Sequence, residues 1–162
     1  VAHDHSDATV LTVLRAHGYT LAHVGDTRAW LIRHGECTQL TQDHTLGQLA
    51  FQNGLTRAIG LDESVKVDYF SGDLQVHDVF VLTSDGVHGP LSARQIRQLA
   101  LEGSCQEAAD ALVAKALASG GRDNATAVVL RVRTKSSRGS SAIASATSPP
   151  GTSSRSISGR SA

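Results

Sequence analysis

The sequence contains no methionine, and its first residue is Val1. An intact translation product normally starts with Met, so the chain is expected to begin mid-protein. Aromatic side chains make up only 4% of the residues, and the 40% hydrophobic fraction therefore rests on Ala, Val, Leu and Ile. That composition suits a compact sheet-and-helix domain with a real core. No apolar run is long enough to span a bilayer and no signal peptide is visible, which points to a cytoplasmic protein without a membrane segment. Cys37 and Cys105 are too far apart to form a close-spaced ligand pair and are expected to be reduced thiols rather than a disulfide. No Gly-rich nucleotide loop precedes a helix, and no Ser/His/Asp nucleophile grouping is recognisable.

Charge is balanced overall but unevenly spread. Of the 15 basic residues, four lie in the last 29 residues, which hold no acid; residues 1–133 keep 11 basic against 15 acidic side chains. An acidic body argues against non-specific nucleic-acid binding and suits a protein that gathers cations with carboxylates.

The composition changes at Thr134. Residues 134–162 hold 11 serines and no apolar periodicity, and such a segment cannot bury enough apolar surface to offset its chain entropy. Residues 1–133 therefore read as one domain and residues 134–162 as a disordered Ser-rich tail. Within the body, Ala8–Arg15 and Tyr19–Val24 read as a hairpin, and Arg28–Arg33 and Glu36–Leu40 as a second one turning at His34-Gly35. Val65–Phe70 and Val79–Thr83 are further strands, and the near-continuously apolar Ala125–Val132 reads as a central one. Ser92 with Gln95, and Ser104 with Glu107, are capping-box signatures. Apolar residues from Cys105 to Leu117 recur at helical spacing, and Gly120-Gly121 closes that helix. Strands with helices inserted late imply an α+β layered domain.

Three aspartates sit where the chain turns. Asp85 follows the apolar strand Val79–Thr83 in Thr83-Ser84-Asp85-Gly86, Asp123 precedes the last strand, and Asp43 follows the second hairpin. If these strands are neighbours, the carboxylates converge at one end of a sheet, and carboxylates with waters are the usual shell for Mg²⁺ or Mn²⁺. Aspartate beside glycine also serves turns by capping its own backbone, and spacing alone does not choose between the two roles.

Five segments, in order, tip the balance. Gly25-Asp26-Thr27-Arg28-Ala29, Leu40-Thr41-Gln42-Asp43-His44, Leu55-Thr56-Arg57-Ala58-Ile59-Gly60, Val81-Leu82-Thr83-Ser84-Asp85-Gly86 and Gly121-Arg122-Asp123-Asn124-Ala125-Thr126 resemble the motifs of the PP2C (PPM) family of metal-dependent serine/threonine protein phosphatases. The likeness covers residues 8–133 and the C-terminal part of the family's catalytic domain. It implies an α/β/β/α sandwich, two antiparallel sheets flanked by helices, truncated at its N-terminus. Asp85 and Asp123 match first-site metal ligands, and Asp43 matches the ligand of a weaker third site shared with Asp85. Two Mg²⁺ or Mn²⁺ ions, with a third possible, and a phosphoprotein substrate are implied. The short, insertion-poor loops suggest a bacterial-type member, with a cognate serine/threonine kinase or a fused kinase or sensor domain as partner. Asp26 matches a structural turn position. His44 is expected to be packed or hydrogen-bonded, and His88 to line the site mouth without a chemical role.

The departures matter equally. The family's N-terminal Glu-Asp strand, its Asp-Gly-x-Gly-Gly motif with the metal-bridging Asp, and an earlier phosphate-gripping Arg have no counterpart here, and His3-Asp4-His5 is no substitute. The isolated chain is therefore expected to be inactive and poorly stable. The rival reading is a non-catalytic phosphatase-like domain that binds a phosphoprotein or signalling partner; a frameshifted product is a third.

Overall fold

The computed structural model describes residues 8–14, 18–45, 64, 66–133 and 142–148. In chain order the elements are β1 (Ala8–Leu14), β2 (Gly18–Gly25), β3 (Arg28–Arg33), β4 (Glu36–Gln39), β5 (Asp68–Asp73), β6 (Val79–Thr83), α1 (Asp85–His88), α2 (Ala93–Ala100), α3 (Cys105–Ala118), β7 (Ala125–Arg131) and β8 (Ala142–Ser148). They form two antiparallel sheets, β1-β2-β5 and β4-β3-β6-β7-β8.

In the five-stranded sheet, β3, β6 and β7 are apolar on both faces because they alternate two sets of hydrophobic residues. Trp30, Ile32, Val79, Val81, Ala127 and Val129 face the helices, where they pack with Val87, Ile96, Ala108, Leu112 and Ala116. Ala29, Leu31, Phe80 and Leu130 face the other way and pack with Tyr19 and Leu21 of the three-stranded sheet. Tyr19 meets Phe80 edge-on, with ring centroids 5.0 Å apart. Among the described residues the order of layers is thus helices, large sheet, small sheet, which realises the stacked antiparallel sheets expected from the sequence.

Both capping boxes form: Ser92 accepts the Gln95 N–H, Ser104 accepts the Glu107 N–H, and the Gln95 and Glu107 side chains reach back to the cap N–H groups. The β3–β4 turn places His34 and Gly35 at φ 50° and 82°, the double left-handed turn that closes a two-residue hairpin. Arg33 pairs with Asp78 at 2.6 Å, and that carboxylate is only 1% exposed.

Two expectations are corrected. The strand expected at Val65–Phe70 runs from Asp68 to Asp73, because pairing with β2 sets its limits: Gly18 faces Asp73 and His23 faces Asp68. Gly72 lies under the Tyr19 ring, where a Cβ would come within 2.8 Å of ring carbons. The second correction concerns the tail. Ala142–Ser148, assigned by composition to a disordered segment, forms β8 and pairs along the whole of β7, from Ala125↔Ser148 to Arg131↔Ala142. Backbone hydrogen bonding asks nothing of side-chain size, so composition gave no warning. β7 is accordingly flanked on both sides. The rest of the tail, His3-Asp4-His5 and the Leu55–Gly60 motif lie outside the described residues.

Candidate metal centre

The strand registers bring the three aspartate-bearing connections to one end of the large sheet. Thr83, the last residue of β6, faces Arg28 at the start of β3 and Ala127 near the start of β7. Beyond those positions lie Asp85, Asp43 (past the end of β4) and Asp123.

The turns carrying Asp85 and Asp123 are stitched together. The Ser84 N–H donates to Thr126 O at 3.0 Å. The Ser84 hydroxyl donates to Asn124 O at 3.1 Å and accepts the Thr126 N–H at 3.0 Å. With its hydroxyl so engaged, Ser84 does not cap α1 through its side chain. Gly86 completes the junction, since a Cβ there would lie 2.2 Å from Asn124 O. Asp85 and Asp123 are both exposed. Each carboxylate also accepts the N–H of the next residue, Gly86 at 2.8 Å and Asn124 at 2.7 Å. The turn-capping role weighed in the sequence is thus present at both residues.

Asp43 is placed differently. Bonds that fasten its loop include Leu40 N–H to Ala29 O at 2.7 Å and His44 N–H to Gly25 O at 2.9 Å, Ala29 N–H to Thr41 Oγ1 at 3.0 Å, and His23 Nε2 to Gln42 O at 3.1 Å. The carboxylate meets Arg28 in a fork: Nε lies 3.0 and 3.2 Å from Oδ1 and Oδ2, and Nη2 lies 2.7 Å from Oδ2. Asp43 therefore shares the sheet end with the other two but is matched to a guanidinium. Among the described residues, no group of three or more His, Cys, Asp or Glu side chains is arranged to hold a metal ion.

The chemistry of the donors separates the three. Asp85 and Asp123 carry hard carboxylate oxygens on turns stitched to each other, the donor type that suits a divalent cation of the Mg²⁺ or Mn²⁺ kind. Asp43 does not fit while Arg28 holds it.

The histidines clarify the surroundings. His44 is buried, its Nδ1 accepts the Gly25 N–H at 3.1 Å, and its proton therefore sits on Nε2, which donates to Asp68 at 2.9 Å. It is hydrogen-bonded and packed, as expected. His88 departs from expectation: it is buried beneath the site instead of lining its mouth. Its Nδ1 lies 3.1 Å from Thr83 Oγ1, which in turn accepts the Trp30 indole N–H at 3.0 Å. Burial first, and then the nearby Arg28 cation, push the His88 pKa down to about 4. Burial also lowers that of His23, whose ring lies 4.7 Å from that of His44. Sequence reading named neither Ser84 as the stitch nor Arg28 as the partner of Asp43. Both stand inside quoted motifs, yet their partners lie 40 and 15 residues away.

A cavity of about 410 Å³ at the β3–β4 hairpin is lined by Leu31, Arg33, His34, Glu36, Thr38 and Leu40 and includes none of the three aspartates. No helix among the described residues is long and apolar enough to cross a membrane.

No protein-family model matches the chain. It is similar to the serine/threonine phosphatase Stp of Listeria welshimeri, 31% identical over 137 residues, covering 75% of this chain and 54% of Stp. Among solved structures, it is similar to the serine/threonine phosphatase PstP of Mycobacterium tuberculosis, with a TM-score of 0.72 and 28% identity over 78% of this chain and 60% of that one. It is also similar to the catalytic domain of a PstP in complex with two manganese ions, with a TM-score of 0.69 and 31% identity over 78% of this chain and 59% of that one. The chain spans about half the length of the curated relatives it matches.

Proposed function

Since the chain belongs to the PP2C family of serine/threonine phosphatases, of whose catalytic fold it carries a part, we propose that its parent protein hydrolyses phosphoserine and phosphothreonine in proteins with Mg²⁺ or Mn²⁺. The observation that carries this reading is the stitched pair of acidic turns: Ser84 and Gly86 hold the Asp85 and Asp123 connections against each other at the end of two paired strands. These two aspartates would hold the cation. When bound, it supplies charge neutralisation at the phosphoryl oxygens and Lewis acidity toward water. The chain's own residues supply position. Ser84 keeps the two carboxylates in register, and the Trp30–Thr83–His88 chain of contacts seats the short helix that begins with Asp85. Catalysis of this kind rests mostly on such placement.

The parent would act in the cytoplasm on proteins phosphorylated by a cognate serine/threonine kinase, which a chain without a membrane-crossing helix among its described residues accommodates. The body of the domain would end near Arg133, with β8 added to its sheet edge.

The test is Mn²⁺-dependent turnover of a phosphothreonine peptide by the full gene product that contains this chain. Turnover should vanish with chelator and in Asp85→Asn, whereas this chain alone should show background rates. Turnover indifferent to both treatments in a folded protein would refute the proposal. The rival is a non-catalytic phosphatase-like domain. It would prevail if the full product binds phosphopeptide in the presence of Mn²⁺ but never releases phosphate.

A further inference from the structure

We propose that in this chain Arg28 serves as a built-in counter-cation to Asp43, so that Asp43 takes no metal while the pair is closed. The inference rests on the reading of Asp85 and Asp123 as the metal-holding pair, and it removes Asp43 from that set.

Geometry carries it. The Arg28 guanidinium makes three N–H···O contacts with both Asp43 oxygens, the planar fork that matches carboxylate best. Neither partner reaches out from a loose surface chain. Arg28 sits in β3, paired to β6 at Thr83, and its guanidinium lies 6.0 Å from the centre of the Trp30 ring below it. Asp43 stands on a loop fastened to β2 and β3 by the bonds described above. The two side chains are 29% and 22% exposed, so the pair is partly shielded from solvent and salt.

A divalent ion at Asp43 would have to break this fork and strand a guanidinium beside the rest of the site. A lone carboxylate with waters offers a divalent ion little in exchange. At this sheet end Asp43 is the carboxylate that a guanidinium already holds in a fork. Substitution of Arg28 converts it into a ligand.

The experiment titrates this chain with Mn²⁺, following the free ion by electron paramagnetic resonance. Asp85→Asn should weaken binding strongly, whereas Asp43→Asn should leave the affinity within about twofold of the original. Arg28→Gln, a shorter neutral amide that loses both the charge and the fork, should tighten Mn²⁺ binding or add a site, with a gain of roughly tenfold in affinity. That gain should disappear in Arg28→Gln/Asp43→Asn. A side-chain readout stands apart from the metal-pair reading: the Arg28 Nε–H resonance should remain slowly exchanging when Mg²⁺ saturates the chain. The proposal is overturned if Asp43→Asn weakens Mn²⁺ as Asp85→Asn does, if folded Arg28→Gln shows no gain, or if Mg²⁺ releases the Arg28 Nε–H. Failure of Asp85→Asn to change Mn²⁺ binding would instead sink the metal-pair reading, and the Nε–H signal would still decide the pairing.

Discussion

Gly86→Ala tests the junction between the two acidic turns with a single methyl group. The position is helical, so alanine should help by about 1 kcal/mol on backbone propensity alone. Opposing this, the new Cβ would stand 2.2 Å from Asn124 O, 2.8 Å from the Asn124 carbonyl carbon and 3.1 Å from Ala125 Cα. All three are backbone atoms of the facing turn, which cannot rotate aside as a side chain can. Overpacking against a fixed wall costs about 1–3 kcal/mol, and an approach of 2.2 Å to a backbone oxygen belongs at the upper end, so the net expectation is a loss of roughly 2 kcal/mol. Trp30 is the only tryptophan and is buried on the helix-facing side of the sheet, so its fluorescence reports unfolding in urea. Gly35→Ala is the control: nothing lies within 4 Å of its new Cβ, but φ is +82°, which costs roughly 1–2 kcal/mol in left-handed strain. The two variants should lose comparable stability, while Gly86→Ala alone should also weaken Mn²⁺ binding by parting Asp85 from Asp123. A Gly86→Ala chain as stable as the original would refute the reasoning, because propensity would then have outweighed the clash.

Other outcomes follow from the same structure. Because the folded His88 protonates only near pH 4 while an unfolded histidine does so near 6.5, stability should be full above about pH 6.5. It should fall by up to about 3 kcal/mol as pH drops toward 4, with His23 acting in the same direction. His88→Gln should flatten the difference in urea midpoint between about pH 7.5 and about pH 5, and an unchanged slope would count against the assignment. Arg33→Ala strands the 1% exposed Asp78 carboxylate and should cost about 3–5 kcal/mol, partly recovered by adding Asp78→Leu; a loss below about 1 kcal/mol would contradict this. Ser104→Ala removes a cap from α3 and should cost about 1 kcal/mol by thermal melt. Ending the chain at Arg133 removes β8 and bares the β7 edge, so the urea midpoint should fall and self-association should rise in light scattering; an unchanged midpoint would refute that pairing.

What could be read in the sequence was the part encoded locally. The stripe from Cys105 to Leu117 and the two Ser-x-x-Gln/Glu boxes specify α2 and α3 because caps and helical faces involve residues three or four apart. The β3–β4 hairpin was legible for the same reason, in its His34-Gly35 turn. β8 was not, because Ala142–Ser148 pairs through backbone groups that every residue carries. α1 was missed because four residues leave no periodicity to detect. At the site, the aspartates were visible as motif residues, and their shared sheet end followed once the strands were taken as neighbours. The Arg28–Asp43 fork and the depth of His88 were not, since both depend on how β3, β6 and the loop after β4 stack. Those are tertiary facts with no short-range signature.

The Ser84 stitch joins the two acidic turns through strand pairing and not through the helices. β6 and β7 can slide past each other only in whole residues, and a slip of one would turn Val79 and Val81 toward the small sheet and Phe80 and Leu82 toward the helices. Both sides of the sheet are packed, so no such slip is tolerated. The pairing of the Asp85 turn with the Asp123 turn is therefore digital: wherever the sheet is formed, the same residues of β6 and β7 face each other.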